Sequence, residues 1–258
     1  AVAARPPAQP PAAPPPPPPA EPPAPEPARP AVEARTDRLA TNQGDGALHR
    51  LRQQETLRLM AEYLGDLEGQ RVLDLGCGAG RFALPLVKAE VLGVDAASDL
   101  IENARARHAG LSNFRFLAAD PARLELAEQP FDVTLLVDAL AAADEGAAAL
   151  LASAAAHTRP GGLLFLSVDN RDALDRRAAR RMGGVPRGAG GSHGLTQAET
   201  TSMVRAAGFR PLRCDGVVLP WGSALGADND EILEALRELG RLAGPAYAQG
   251  IVMLARKG

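Results

Sequence analysis

Apolar residues along the chain fall into short runs separated by longer stretches of mixed character. Runs at 72–75, 91–94, 114–117, 133–137 and 163–168 are rich in Val, Leu and Phe and do not alternate with polar positions. Runs of this length suit central strands buried on both faces of a sheet. The stretches between them, near 80–88, 98–109, 143–157 and 171–182, carry helix-like patterns. Strand and helix in alternation build βαβ units and a parallel sheet. Ahead of the first run, 47–64 reads as a helix with Leu48, Leu51, Leu57, Met60, Tyr63 and Leu64 as a broken apolar stripe, ended by Gly65 and Gly69.

The final third has a different rhythm. Thr196 is placed as the N-cap of a helix running to Ala207, with Glu199 at capping-box spacing and Gly208 as its stop. A strand over 209–214, a helix over 230–242 and a last strand over 250–255 follow. Two late strands separated by one helix allow the last strand to lie antiparallel between its neighbours.

Composition divides the chain in two. Of its 23 prolines, 15 lie in residues 1–30, together with nine alanines and no glycine or aromatic. Such a stretch cannot bury enough apolar surface to offset the entropy of ordering it. Residues 1–45 are therefore expected to be a disordered or polyproline-II arm and linker, and 46–258 one α/β domain. The arm suits a proline-binding partner.

Charge and cysteine content narrow the classes. A net charge of −3 gives no overall basic field for nucleic acid. Two cysteines, Cys77 and Cys214, cannot build a disulfide framework, which favours a reducing compartment. No apolar stretch approaches the roughly 18–20 residues of a membrane span. Residues 1–30 lack the apolar region of a signal peptide. A soluble, cytoplasmic protein is expected; the initial Ala leaves room for a removed Met or a longer precursor.

The sharpest segment is VLDLGCGAGRF at 72–82, a buried strand running straight into Gly76, Gly78 and Gly80. Glycines let a ligand approach the backbone with no Cβ in the way. A following helix would point its N-terminal N–H groups at that ligand. This is a nucleotide-type site at the carboxyl end of a first strand. Dinucleotide sites space their glycines G-x-G-x-x-G; here the spacing is G-x-G-x-G and position 81 is Arg. A nicotinamide oxidoreductase therefore fits poorly. Asp74, two residues before the first glycine, suits a ligand with an ammonium-bearing amino-acid tail.

Two more acids extend the series. Asp95 ends the second strand 19 residues after Gly76, about where a ribose-binding carboxylate is expected. Asp120 ends the third and could accept from an exocyclic amino group of adenine. Cys77, inside the loop, is expected to fill space.

These segments, with FDVTLLVDAL at 131–140 and RPGGLLFLSV at 159–168, resemble the class I S-adenosylmethionine-dependent methyltransferases over roughly residues 46–258. The resemblance implies a Rossmann-like, seven-stranded and mostly parallel sheet in the order 3-2-1-4-5-7-6, the last strand antiparallel, with helices on both faces. It implies S-adenosylmethionine as cofactor. Asp74, Gly76, Gly78 and Gly80 would surround its methionine moiety, Asp95 its ribose and Asp120 its adenine. Val137 would lie under it near the transferred methyl.

The substrate half is less marked. Residues 48–50 and 57–59, then 167–171, Val185, Pro186 and His193, loosely resemble the ubiquinone-biosynthesis O-methyltransferases. By that resemblance Arg58 would meet the cofactor carboxylate. The subfamily's Glu and Glu-His after the fourth strand are absent, the segment reading Asp138-Ala-Leu-Ala-Ala-Ala-Asp-Glu145, so no metal is expected. Nor is there an Asn/Asp-Pro-Pro-Tyr signature at Asp138, which leaves that residue as a cap or a substrate contact. The arginines at 176–181, with Asp169, Asp172 and Asp175 nearby, suit a solvated helix face. Methyl transfer to a small-molecule or lipid-linked acceptor, at oxygen, is the reading, with His193 as general base. A protein or RNA methyltransferase and a non-catalytic cofactor-binding scaffold are the alternatives.

Overall fold

The computed structural model describes residues 46–82, 84–140, 146–183, 194–218 and 230–258. Helix α1 (Gly46–Leu64) precedes β1 (Arg71–Leu75). A 3-10 turn (Leu84–Leu86) leads to β2 (Glu90–Asp95), α2 (Ser98–Arg107) and β3 (Phe114–Ala118). After a second 3-10 turn (Pro121–Arg123) come β4 (Phe131–Val137), α3 (Ala147–His157) and β5 (Thr158–Asp169). Then follow α4 (Leu174–Arg181), α5 (Gln197–Ala206), β6 (Phe209–Val217), α6 (Asp230–Ala243) and β7 (Gly250–Lys257).

The strands form one sheet in the order β3-β2-β1-β4-β5-β7-β6. The first five run parallel; β7 is antiparallel to both β5 and β6. Fold class and order are those implied by the resemblance. Alternate residues of the central strands feed two apolar layers. Leu73, Leu75, Leu136 and Leu166 face α3 and α5, where Leu150, Leu151 and Val204 meet them. Val72, Val91, Leu135 and Phe165 face α1, where Leu59 and Met60 close the other layer. The capping box of α5 forms as expected: the Thr196 side chain accepts from the Glu199 N–H, and the Glu199 carboxylate accepts from the Thr196 N–H.

Two expectations fail. The run at 114–117 does not form a strand buried on both faces: β3 is an edge strand, with Arg115, Leu117 and Ala118 exposed. Nor, among the described residues, does an α-helix follow the glycine loop. Positions 81–89 are nine residues, and they must return alongside β1 to begin β2 at Glu90. Five strand residues span about 16 Å, and an α-helix rising 1.5 Å per residue needs about eleven residues for that distance. The chain instead uses turns and a more extended 3-10 segment containing Pro85.

Candidate cofactor site at the strand ends

The glycine loop is held by the strand beside it. The N–H groups of Gly76 and Cys77 donate to the Val94 carbonyl at 2.7 and 3.2 Å. The Gly78 N–H donates to Asp95 Oδ2 at 2.8 Å, and the Ala97 N–H to Asp95 Oδ1 at 3.0 Å. Asp95 is thus fixed between the loop and the start of α2, each oxygen keeping a lone pair for a ligand. Two glycines are dictated by neighbours as well as by φ. A Cβ on Gly76 (φ 80°) would lie 2.8 Å from the Ala139 Cβ, and one on Gly80 (φ 70°) would lie 2.9 Å from His108 Nε2. The loop is therefore pressed between the end of β4 and the end of α2. His108, which the sequence did not single out, takes the place of the missing helix: its Nε2 lies 3.0 Å from the Gly80 carbonyl oxygen, and its ring stacks on Phe114 and Phe116.

Asp74 sits beneath the loop, buried. Among the described residues no hydrogen bond reaches its side chain, and burial, with the nearby Asp95 charge second, pushes its carboxyl up to about 7. Burial and the same two carboxylates also push the Cys77 thiol up, which keeps it uncharged and unreactive. Cys77 packs against Gly93, where a Cβ would come within 2.9 Å of its sulfur.

The other expected residues are distributed as follows. Asp120 caps the second 3-10 turn, its Oδ1 accepting from the Ala122 N–H at 2.9 Å. The neighbouring Ala119 N–H donates to the Asp95 carbonyl, which keeps this carboxylate beside the Asp95 corner. Val137 closes β4, buried and paired with Ser167. His193 lies outside the described residues. Arg58 is not brought to the strand ends. Its Nε donates to Glu55 at 3.1 Å and its NH1 to Glu62 at 2.8 Å. Glu55 in turn is bound by Arg237 at 2.6 Å, on the flank of α1 that faces α6.

The α1 arginine that reaches the strand ends is Arg52. Its guanidinium pairs with Asp138 Oδ1 at 2.5 Å and with Asp169. Burial pulls this group down, but the two carboxylates outweigh it and hold the guanidinium above its ordinary value. Asp169 also faces Arg176 at 3.5 Å, and Arg176 NH1 donates to the Asn170 carbonyl at 2.8 Å. Arg176 is thus a buried ion-pair partner and not part of a solvated face, whereas Arg177 and Arg180 pair with Asp172 nearer the surface. Asp138 has φ 56°, a left-handed conformation costing on the order of 1 kcal/mol even for Asp, which tolerates it better than most. Among the described residues no group of three or more His, Cys, Asp or Glu side chains is placed to hold a metal ion, and no helix is long and apolar enough to cross a membrane.

Residues 72–162 match the model of a methyltransferase domain. A stretch of 111 residues is 36% identical to the ubiquinone biosynthesis O-methyltransferase of Sinorhizobium fredii, covering 41% of this chain and 43% of that protein. A stretch of 67 residues is 51% identical to the 23S rRNA (uracil(1939)-C(5))-methyltransferase of Alkalilimnicola ehrlichii, 24% of this chain and 15% of that protein. The matches span less than half the length of either relative. In structure, a SAM-dependent methyltransferase from Thermotoga maritima superimposes with TM-score 0.64 at 20% identity, over 88% of this chain and 99% of that one. The magnesium protoporphyrin IX methyltransferase of Synechocystis, solved with S-adenosylhomocysteine, gives 0.58 at 20% identity, over 86% and 93%. The sheet order is that of the class I S-adenosylmethionine-dependent methyltransferase fold, and residues 72–162 carry the methyltransferase-domain match within it.

Proposed function

We propose that the protein transfers the methyl group of S-adenosylmethionine to a small-molecule or lipid-linked acceptor, at an oxygen. The observation that carries the cofactor half is Asp74. A buried carboxyl with no hydrogen-bond partner is costly when ionised, and the ammonium of the cofactor's amino-acid tail supplies the missing cation. Asp95, already oriented by two N–H groups, accepts from both ribose hydroxyls. Asp120 offers its second oxygen to the adenine amino group, and Val137 floors the space beside the reacting carbon.

When bound, the cofactor supplies a methyl group activated by a sulfonium. The chain adds alignment and exclusion of water, effects that together reach about 7–11 kcal/mol. The short loop, clamped by Ala139 and His108, favours a fixed pose. Identity to the ubiquinone biosynthesis enzyme and the acidic balance of the chain support a small acceptor. The shorter match to an rRNA enzyme supports RNA as the second reading.

Calorimetry with S-adenosylmethionine, followed by S-adenosylhomocysteine release on a panel of catechols, hydroquinones and an rRNA fragment, tests this. Asp95→Ala should weaken cofactor binding about 100-fold, as expected for losing hydrogen bonds to a charged group. Unchanged affinity would remove the ribose assignment. Turnover on RNA alone would favour the second reading, and binding without turnover the scaffold.

A further inference from the structure

We propose that the outer face of α6 is an interface between two copies of this chain, paired antiparallel about a twofold axis. The inference stands independently of the methyltransferase reading above.

The pattern of α6 is the first ground. Ala235, Leu239 and Leu242 follow i, i+4, i+7 spacing, which puts them on one face of the helix. All three are exposed, Leu239 to 47% and Leu242 to 76%. A single exposed leucine is ordinary on a protein surface, but an aligned set of apolar positions marks a contact face. The other side of the helix is already committed. A Cβ on Gly240 would lie 2.8 Å from the Val218 nitrogen. Arg237 and Arg241 reach Glu55 of α1 at 2.6 and 3.6 Å. The helix therefore cannot roll to bury its leucines without giving up these contacts.

Charge is the second ground, and it selects the occupant. Beside the apolar stripe stand Glu238 and Arg241, with side chains 60% and 42% exposed. Arg241 NH1 lies 3.5 Å from Glu238 and NH2 3.6 Å from Glu55. Both distances are long for charged hydrogen bonds, so the guanidinium keeps donors for a better acceptor. A stripe that carries its own acid and its own base complements itself. Two copies related by a twofold axis present the same patch to each other. When Leu239 of one copy faces Leu242 of the other, each Glu238 stands beside the Arg241 across the axis. The leucines form a dry seam, and the ion pairs flank it as charged residues flank a coiled coil. An anionic lipid surface fits less well, because Glu231, Glu234 and Glu238 are all exposed on this helix. One helix face of about two turns suits the small, transient class of interface, below about 1,200 Å². The pair should therefore form and dissociate with concentration.

Sedimentation of the full chain at concentrations up to about 300 µM tests this, since mass action drives a weak pair together. The particle mass should rise from that of one chain toward twice that value. Leu242→Glu should raise the dimer dissociation constant at least about tenfold by placing a charge in the seam. Glu238→Arg and Arg241→Glu should each do the same alone, because each sets like charges across the axis. Mixed in equal amounts, these two variants should regain an affinity within about threefold of the wild type, since every pair across the axis is again Glu with Arg. A change in helix stability within one chain produces no such recovery. A wild type that keeps the mass of one chain throughout overturns the proposal. So do dimers indifferent to all three substitutions, or variants that stay apart when mixed. A chain that pairs only after deletion of residues 1–30 would assign the face to the arm. A single chain that sediments with phosphatidylglycerol vesicles would assign it to lipid. Either result also overturns the pairing.

Discussion

His108 Nε2 donates to the carbonyl of Gly80 at 3.0 Å, so the end of α2 clasps the third glycine of the cofactor loop from 28 residues away. The tautomer with its proton on Nε2 is the one this bond selects. This contact sets where the loop ends.

His108→Ala should therefore weaken S-adenosylmethionine binding about five- to tenfold, in line with about 1 kcal/mol for one neutral hydrogen bond. His108→Gln, whose amide N–H can replace the ring donor, should recover most of it. Equal loss in both variants would mean that ring stacking on Phe114 and Phe116 carries the effect instead.

Asp74 predicts a pH dependence with a definite sign. Its carboxyl, raised by burial and then by Asp95 to about 7 from 3.8, must ionise to pair with an ammonium. Affinity for S-adenosylmethionine should rise about 25-fold between pH 5.5 and 7.5, and Asp74→Asn should flatten the profile. Without ligand the effect reverses. The folded state holds this proton more tightly than the unfolded chain, so the group's contribution to stability is full below pH 4 and is lost as pH rises to about 7. Urea midpoints of wild type and Asp74→Asn across that range would show it.

Arg52 neutralises two carboxylates at once, the buried Asp169 and the partly buried Asp138. Arg52→Met should destabilise the domain by about 3 kcal/mol, because the lost partner leaves charge stranded inside. Arg176 retains its own contact with Asp169, which keeps the loss at the lower end of the range for broken buried pairs. Chemical denaturation measures this directly. A loss below 1 kcal/mol would mean that water reaches the network.

Deleting residues 1–30 should leave the dissociation constant for S-adenosylmethionine within about twofold. The glycine loop and the acids around it all lie beyond residue 70. A collapse of affinity would place the arm over the site.

The seven strands were legible because central strands announce themselves as apolar runs, and the sheet order followed from the family resemblance that the motifs carry. The edge position of β3 was read past, since Phe114, Phe116 and Leu117 look like a central strand while Arg115 between them is the one sign of an exposed face. The missing helix at 80–88 was hidden because periodicity says nothing about the distance a crossover must cover. At the site, Asp74, Gly76, Gly78, Gly80 and Asp95 stand out because they are close in sequence. Arg52 and Ser167 meet Asp138, and Asp169 meets Arg52, across separations of dozens of residues, and no local pattern links them. The sequence offers Arg50, Arg52 and Arg58 near one another, and tertiary packing alone sends Arg52 to the strand ends and Arg58 to Glu55 and Glu62.

The short crossover after the loop leaves part of one sheet face to α1. Leu59 and Met60 share a layer there with Phe82 and Leu86 of the crossover, while Arg52, two turns earlier on the same helix, grips the ends of β4 and β5. One helix thus seals the apolar layer and braces the site floor, so occupancy at the strand ends and docking of α1 are energetically linked. The backbone amides of 51–64 should accordingly exchange with deuterium more slowly once ligand is bound, making this helix a reporter of occupancy from outside the loop that binds.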